Sequence, residues 1–461
     1  MTAVRLFATR GRGGGRGSRS AALAVLTSAV LLVAGAQSTA ELVAGARGEA
    51  TAQPTAADGL RGEENGDEGI DGVVPGGRAG DVAGPQVSAA GALLWDPAAD
   101  AVLVDVEAEV PRPMASTTKI MTALLVLEGG TVDDEVEISA AAVQAGQLPG
   151  VARVGLTEGE ALPMRSLLVA LLLESANDAA VAIAEHVSGD VDAFVAAMNE
   201  RADELGLDET GFVDPSGLTN DPDHVASPAD LVRLAEEAMG HEEFAEIVGM
   251  SEAEPDGLPR IDNRNELLDT FDGATGVKTG FTSRAGLTLV AAAEREDRRL
   301  YAVVLDSDDH FADSAELLRH GFERWASERI EGEVASWRTS GGTTPLEVAR
   351  PVEYAVPADG EVELVADPPA TLPAGTPAGT EAGTAELRVD GVPAGSVELA
   401  TAEEVPRPTH EGSAAIGAGL QDALRDLSRA GLEEVRGEPP FGRPVHPLVV
   451  SGRPWFPGAP D

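Results

Sequence analysis

The sequence predicts an α/β protein of the α+β kind, with helices around an antiparallel sheet, followed by a small all-β domain. Three observations predict it. Apolar residues recur at helical spacing after Ser116 (Ile120, Leu124, Leu127) and again across 161–173 (Met164, Leu167, Leu168, Leu171, Leu172), which buries those stretches as helices. Short β-prone runs come in pairs: 87–96 and 101–106 flank a turn at 97–100, and 287–293 and 300–305 flank a charged turn. Beyond Trp337 the texture changes to alternating runs at 346–356, 361–365, 385–389 and 396–400, separated by Pro/Gly turns.

Taken in order, residues 1–36 read as an export signal. Arg5, Arg10, Arg12, Arg16 and Arg19 precede an apolar run at 21–33 and the small-x-small site Ala34-Gly35-Ala36. The alternative, an uncleaved anchor, meets an apolar run shorter than the ~20 residues a span needs. Residues 37–84 hold Gly, Ala, Glu and Asp with almost no large apolar side chains, predicting a disordered acidic linker. The main domain is expected over 85–328, with further helices at 179–187, 191–205, 228–239 (capped by Ser227) and 314–326. The β domain follows over 337–405, with a low-complexity loop at 368–383. A partly disordered tail, 406–461, carries one weakly amphipathic acidic helix near 414–435. No terminal apolar run is long enough to span a bilayer.

Charge and composition exclude several functions. A formal net charge of −45 leaves no basic footprint for nucleic acid and none for an anionic membrane surface. Without cysteine there is no disulfide framework and no thiolate metal site. The acidity fits either a secreted protein of a salty or alkaline habitat or a coding bias that favours Ala, Gly and Arg over Lys.

The chemistry gathers around Ser116 and Lys119. Residues at i and i+3 share a helix face, so the hydroxyl and the amine can meet. Burial disfavours the charged form of a lysine, and a neutral amine beside a hydroxyl is a general base beside a nucleophile. Of 33 basic residues only Lys119 and Lys278 are lysine. An arginine-rich chain keeps lysine where arginine fails, because arginine neither gives up its proton nor acts as a compact point charge. Ser175 and Asn177 lie on a loop between two helices, from which both can point into one cleft; alternatively Asn177 caps the second helix. Lys278-Thr279-Gly280 enters a strand. Gly280 there permits close backbone approach, while Lys278 is either a site residue or a solvated strand lysine.

Ser-x-x-Lys, Ser-x-Asn and Lys-Thr-Gly, in this order at domain-sized gaps, form the signature of penicillin-binding proteins and serine β-lactamases. The flanks Met-Ala-Ser-Thr-Thr-Lys-Ile-Met, Glu-Ser-Ala-Asn-Asp, Asn263-Arg264-Asn-Glu-Leu-Leu and Gly-Val-Lys-Thr-Gly-Phe-Thr282 resemble the low-molecular-mass D-alanyl-D-alanine carboxypeptidases, peptidase family S11, over about residues 85–328. The resemblance implies a β-lactamase/transpeptidase-like fold. It implies that Ser116 attacks the bond between the terminal D-alanines of a peptidoglycan stem peptide, that Lys119 takes its proton, and that Ser175 relays a proton to the leaving group. It further implies a substrate site of Asn177, Arg264, Lys278, Thr279, Gly280, Phe281 and Thr282, with the backbone N–H groups of Ser116 and Phe281 facing the oxyanion. β-Lactams would acylate the same serine, and no metal or cofactor is implied. Two features depart from the family. Asp306-Ser-Asp-Asp309 and Asp313 stand where relatives carry a Gly-rich stretch and an arginine, and membrane anchoring by an amphipathic tail helix is not evident. The competing readings are a class A-like β-lactamase, whose middle motif is usually Ser-Asp-Asn, and a catalytically silent wall-binding protein. A zinc peptidase is excluded because His241-Glu-Glu-Phe-Ala lacks a second histidine.

Overall fold

The computed structural model describes residues 3–5, 84–148, 150–339, 342–369 and 371–407. The expected linker and tail, the tail helix near 414–435 included, fall almost wholly outside these residues, as does most of the expected signal.

The central element is a five-stranded antiparallel sheet. Its strands are β1 (Gly91–Asp96), β2 (Ala101–Val106), β3 (Ala274–Thr282), β4 (Gly286–Arg295) and β5 (Arg298–Ser307). They lie in the order β2-β1-β5-β4-β3. The expected strand pairs are present, and the first and last parts of the domain meet where β1 pairs with β5. Both faces of the sheet are covered, so its strands are apolar runs rather than alternating ones. Trp95, Val290, Tyr301, Val303 and Leu305 pack into a helical layer. Leu94, Leu289, Leu300, Ala302 and Val304 pack with Leu317 and Leu318 on the other side. The buried Asp96 accepts two bonds from Arg298, Nε at 2.9 Å and Nη2 at 2.7 Å, locking the edge of β1 to β5.

In the helical layer, α1 (Lys119–Glu128) is buried on nearly every side, as a helix without a polar face must be. The stretch expected as one helix from 161 divides. Ala161–Pro163 is a strand, because proline fixes its own φ and pushes the residue before it to extended backbone. A helical turn Met164–Val169 then widens into a π turn, Ala170–Glu174. Next come α2 (Asn177–Ser188) and α3 (Pro228–Met239). Ser227 caps α3 as expected, its Oγ accepting from Asp230 N–H at 3.1 Å.

On the opposite face α4 (His310–Arg324) begins four residues earlier than expected. Asp309 supplies the cap, its Oδ1 accepting from Ala312 N–H at 3.0 Å. A Cβ on Gly321 would lie 2.5 Å from Leu300 Cδ1, so this glycine lets α4 settle on the sheet. Asp313 is engaged in structure: it accepts from the backbone N–H groups of Ser88 and Ala89 and from the hydroxyls of Ser88 and Ser307, which ties the chain entering β1 to α4.

The all-β region begins directly after α4. β6 (Trp325–Ile330) pairs with β9 (Val352–Pro357), and the expected helix end at 326 is therefore strand. β7 (Glu333–Thr339) and β8 (Gly342–Val348) form a hairpin. The single run expected at 346–356 is two strands, because Pro351 has no N–H to give a ladder. β10 (Val362–Asp367), β11 (Glu381–Val389) and β12 (Val392–Thr401) complete a sheet in the order β10-β11-β12-β8-β7, on whose β10 edge Ala3–Arg5 pairs antiparallel.

Candidate active site

Ser116 lies in a 3₁₀ turn, Ala115–Thr118, that runs straight into α1 at Lys119. With three residues per turn, positions i and i+3 eclipse, and Lys119 Nζ comes 3.0 Å from Ser116 Oγ. The turn begins at Ala115 in the left-handed region (φ +50°), a conformation costing roughly 1–2 kcal/mol for an L-residue. Strain of this kind concentrates where function fixes geometry.

Lys119 is wholly buried. Its other two contacts are Asn177 Oδ1 at 2.8 Å and the Ser216 carbonyl at 2.5 Å. Both are pure acceptors, and neither is charged. Burial pushes the Lys119 amine well below the ordinary lysine range; the Lys278 charge acts the same way and Asp214 opposes. A neutral amine has two N–H bonds and one lone pair. With the N–H bonds given to Asn177 and Ser216, the lone pair faces Ser116.

Asn177 is the first residue of α2 and not its cap, a position held by Ala176 without a side-chain bond. The cap alternative is thereby corrected: the Asn177 carboxamide is drawn instead to the lysine. Ser175 ends the π turn in the left-handed region (φ +65°), and its buried Oγ makes no hydrogen bond. Glu174, just before it, takes Arg264 Nη2 at 2.5 Å. Asp178, in the first turn of α2, accepts from the N–H groups of Gly155 at 2.9 Å and Leu156 at 3.3 Å, tying that loop to α2.

The third motif lies on β3. Lys278 is 1% exposed, so the solvated-strand alternative is corrected; its Nζ donates to the Thr279 carbonyl at 3.0 Å. Burial pushes Lys278 down to about 7; the Arg264 charge adds to this and Glu174 opposes it. Gly280 pairs with Thr288 across β4. A Cβ there would lie 2.4 Å from Thr288 Oγ1 and 2.9 Å from Ser116 N, so only glycine lets this edge meet the serine turn. Phe281 is 64% exposed. Thr282 Oγ1 accepts from Ala285 N–H at 3.0 Å and closes the β3–β4 turn.

The structure thus brings Ser116, Lys119, Asn177 and Gly280 into contact, while Arg264 acts on Lys278 electrostatically from its pairing with Glu174. The sequence marks 211–218 as a loop but gives no sign that 211–225 packs behind the serine turn. The Pro215 carbonyl accepts from Thr122 Oγ1 at 2.6 Å, and His224 lies 2.8 Å from Thr118 Oγ1. Only the dense Asp-Pro-Ser-Gly punctuation hinted at a fixed loop. Among the described residues, the one acidic–histidine group that could hold a metal is Glu128, Glu237 and His241. Arg201 already bonds both of its carboxylates, at 2.7 Å and 3.0 Å.

The model of the D-alanyl-D-alanine carboxypeptidase family, peptidase S11, matches residues 79–309. The chain belongs to this family. It is 36% identical over 249 residues to the D-alanyl-D-alanine carboxypeptidase DacB2 of Mycobacterium tuberculosis, covering 52% of this chain and 84% of that one. It is also 36% identical over 199 residues to DacF of Bacillus subtilis, covering 41% of this chain but only half of that protein's length. Among solved structures, penicillin binding protein 5 of Haemophilus influenzae is similar with a TM-score of 0.59 and 27% identity, over 71% of this chain and all of that one. The carboxypeptidase DacD of Francisella tularensis shares the fold, with a TM-score of 0.60 at 21% identity over 70% of this chain and 94% of that one. S11 membership fits helices around an antiparallel sheet followed by an all-β region, as the sequence predicted. No described helix is long and apolar enough to cross a membrane.

Proposed function

We propose that this chain is a serine-type D-alanyl-D-alanine carboxypeptidase that removes the terminal D-alanine from peptidoglycan stem pentapeptides, is acylated at the same serine by penicillins, and works in cell-wall maturation outside the cytoplasm. The observation that carries the reading is the Lys119 amine, buried and 3.0 Å from Ser116 Oγ with its other two contacts both neutral acceptors.

The chemistry follows from that contact. Ser116 Oγ attacks the carbonyl carbon of the penultimate D-alanine, and its proton passes to Lys119 Nζ. The oxyanion faces the backbone N–H groups of Ser116 and Phe281, each such donor worth about 3 kcal/mol of transition-state stabilisation. Collapse breaks the C–N bond. The leaving D-alanine nitrogen takes a proton through Ser175, whose unpaired hydroxyl leaves it free to relay one. Water then hydrolyses the Ser116 ester, with Lys119 again taking a proton. Asn177 holds the substrate amide, while Lys278, Thr279 and Arg264 hold the terminal carboxylate, a buried point charge and a fork suited to that group.

Incubation with a pentapeptide ending in D-Ala-D-Ala should release one D-alanine per peptide, and labelled penicillin should leave a lasting adduct on Ser116. Rapid penicillin turnover would point to a β-lactamase instead. Absence of both D-alanine and adduct would defeat the enzyme reading.

A further inference from the structure

We propose that His224 is a positioning residue for catalysis, aiming the backbone N–H of Ser116 through Thr118 and the Ala115 carbonyl. The inference rests on the acyl-enzyme reading above and adds a residue outside its three motifs.

The geometry is a one-way chain of hydrogen bonds. Val213 N–H donates to His224 Nδ1 at 3.1 Å, which leaves the ring proton on Nε2. Nε2 lies 2.8 Å from Thr118 Oγ1 and donates to it, because that hydroxyl spends its single proton on the Ala115 carbonyl at 2.7 Å. Each link fixes the direction of the next, and such chains polarise one another in a dry interior. His224 is 2% exposed and Thr118 is wholly buried.

The end of the chain gives it meaning. The Ala115 carbonyl and the Ser116 N–H belong to one peptide unit, and in a planar trans peptide they point in opposite directions. Whatever holds the oxygen therefore aims the N–H. The oxygen is gripped from a second side: a Cβ on Gly217 would lie 1.9 Å from it, so the loop backbone is pressed against it. On the other side of the unit, Gly280 closes on Ser116 N. Ala115 holds a left-handed conformation that its own preferences oppose, and the His224–Thr118 chain adds a directed hydrogen bond to the packing that keeps that peptide from turning. Burial holds His224 down at about 4, with Arg284 and Lys119 acting the same way and Asp214 and Asp221 opposing, so the ring is neutral under ordinary conditions.

Saturation kinetics of Ser116 acylation by labelled penicillin, with thermal melts alongside, test this on the full chain. Thr118→Val keeps the shape but ends the chain, and His224→Phe keeps a ring without donor or acceptor. Each should lower the acylation rate constant at least tenfold with the pre-acylation dissociation constant changed less than about twofold, since a misaimed oxyanion donor is felt in the transition state. Thr118→Ser, which restores the hydroxyl, should recover most of the rate. Folded His224→Phe or Thr118→Val protein that acylates at the native rate would overturn the proposal, as would a loss matching only the unfolded fraction. A native protein that never forms the Ser116 adduct would overturn the enzyme reading itself, and the inference with it.

Discussion

At the scale of single residues, the two lysines carry the most information, and both were legible because the chain uses so few. Lys119→Arg keeps the charge but not the lone pair, so acylation of Ser116 should fall by at least three orders of magnitude; substantial residual labelling would contradict the base assignment. The two amines also fix the pH response in opposite senses. Lys119 must be neutral to act, and its affinity for protons is lowered, so the acylation rate rises as pH climbs through its depressed pKa. Lys278 must be charged to attract a carboxylate, and in the free protein it loses its proton near 7. Substrate capture, read as kcat/KM, should therefore decline above about pH 7, and Glu174→Gln should shift that decline to lower pH by removing the anion that supports the charge. The same burial acts on folding: between about 7 and the ordinary lysine value the unfolded chain binds more protons than the folded one, so the Lys278 contribution makes stability rise with pH across that window. Arg264 with Glu174, and His224 with Thr118, were invisible beforehand because their partners lie far away along the chain. Local spacing carries no record of such pairs.

At the scale of elements, what could be read was what the chain writes locally. The β1–β2 hairpin, the Ser227 cap and the apolar α1 all followed from pattern and punctuation. Two of the misread boundaries, Ala161–Pro163 and β6 after α4, are stretches expected as helix that strand pairing takes up instead. Proline was the available warning at Pro163 and again at Pro351. Glycines mark where elements touch. Gly280→Ala would force a methyl group against Thr288 and the Ser116 amide, and should cost about 1–3 kcal/mol by overpacking. Its acylation rate should drop further than its melting temperature suggests, because the displaced edge is the one that faces the nucleophile; equal losses in both would show that the contact is merely structural.

At the scale of the whole molecule, charge outweighs every local feature. With a net charge of −45, folding gathers repelling carboxylates that salt screens at a Debye length of ~10 Å in 0.1 M. Raising NaCl from about 0.01 M to about 0.5 M should raise the melting temperature, most steeply at the low end where screening changes most; a flat profile would remove self-repulsion as a factor and leave the acidity to coding bias. The opposite sign of charge leads somewhere less expected. Both lysines are buried, close enough for one charge to act on the other, and the sequence contains no others. An amine-directed dye or crosslinker thus finds no side-chain handle on the exterior of this protein. Lysine labelling, separated by peptide mapping from that of the chain's α-amine, would therefore report how often the interior around Ser116 opens to solvent, since both side-chain amines are already inclined to lose their protons.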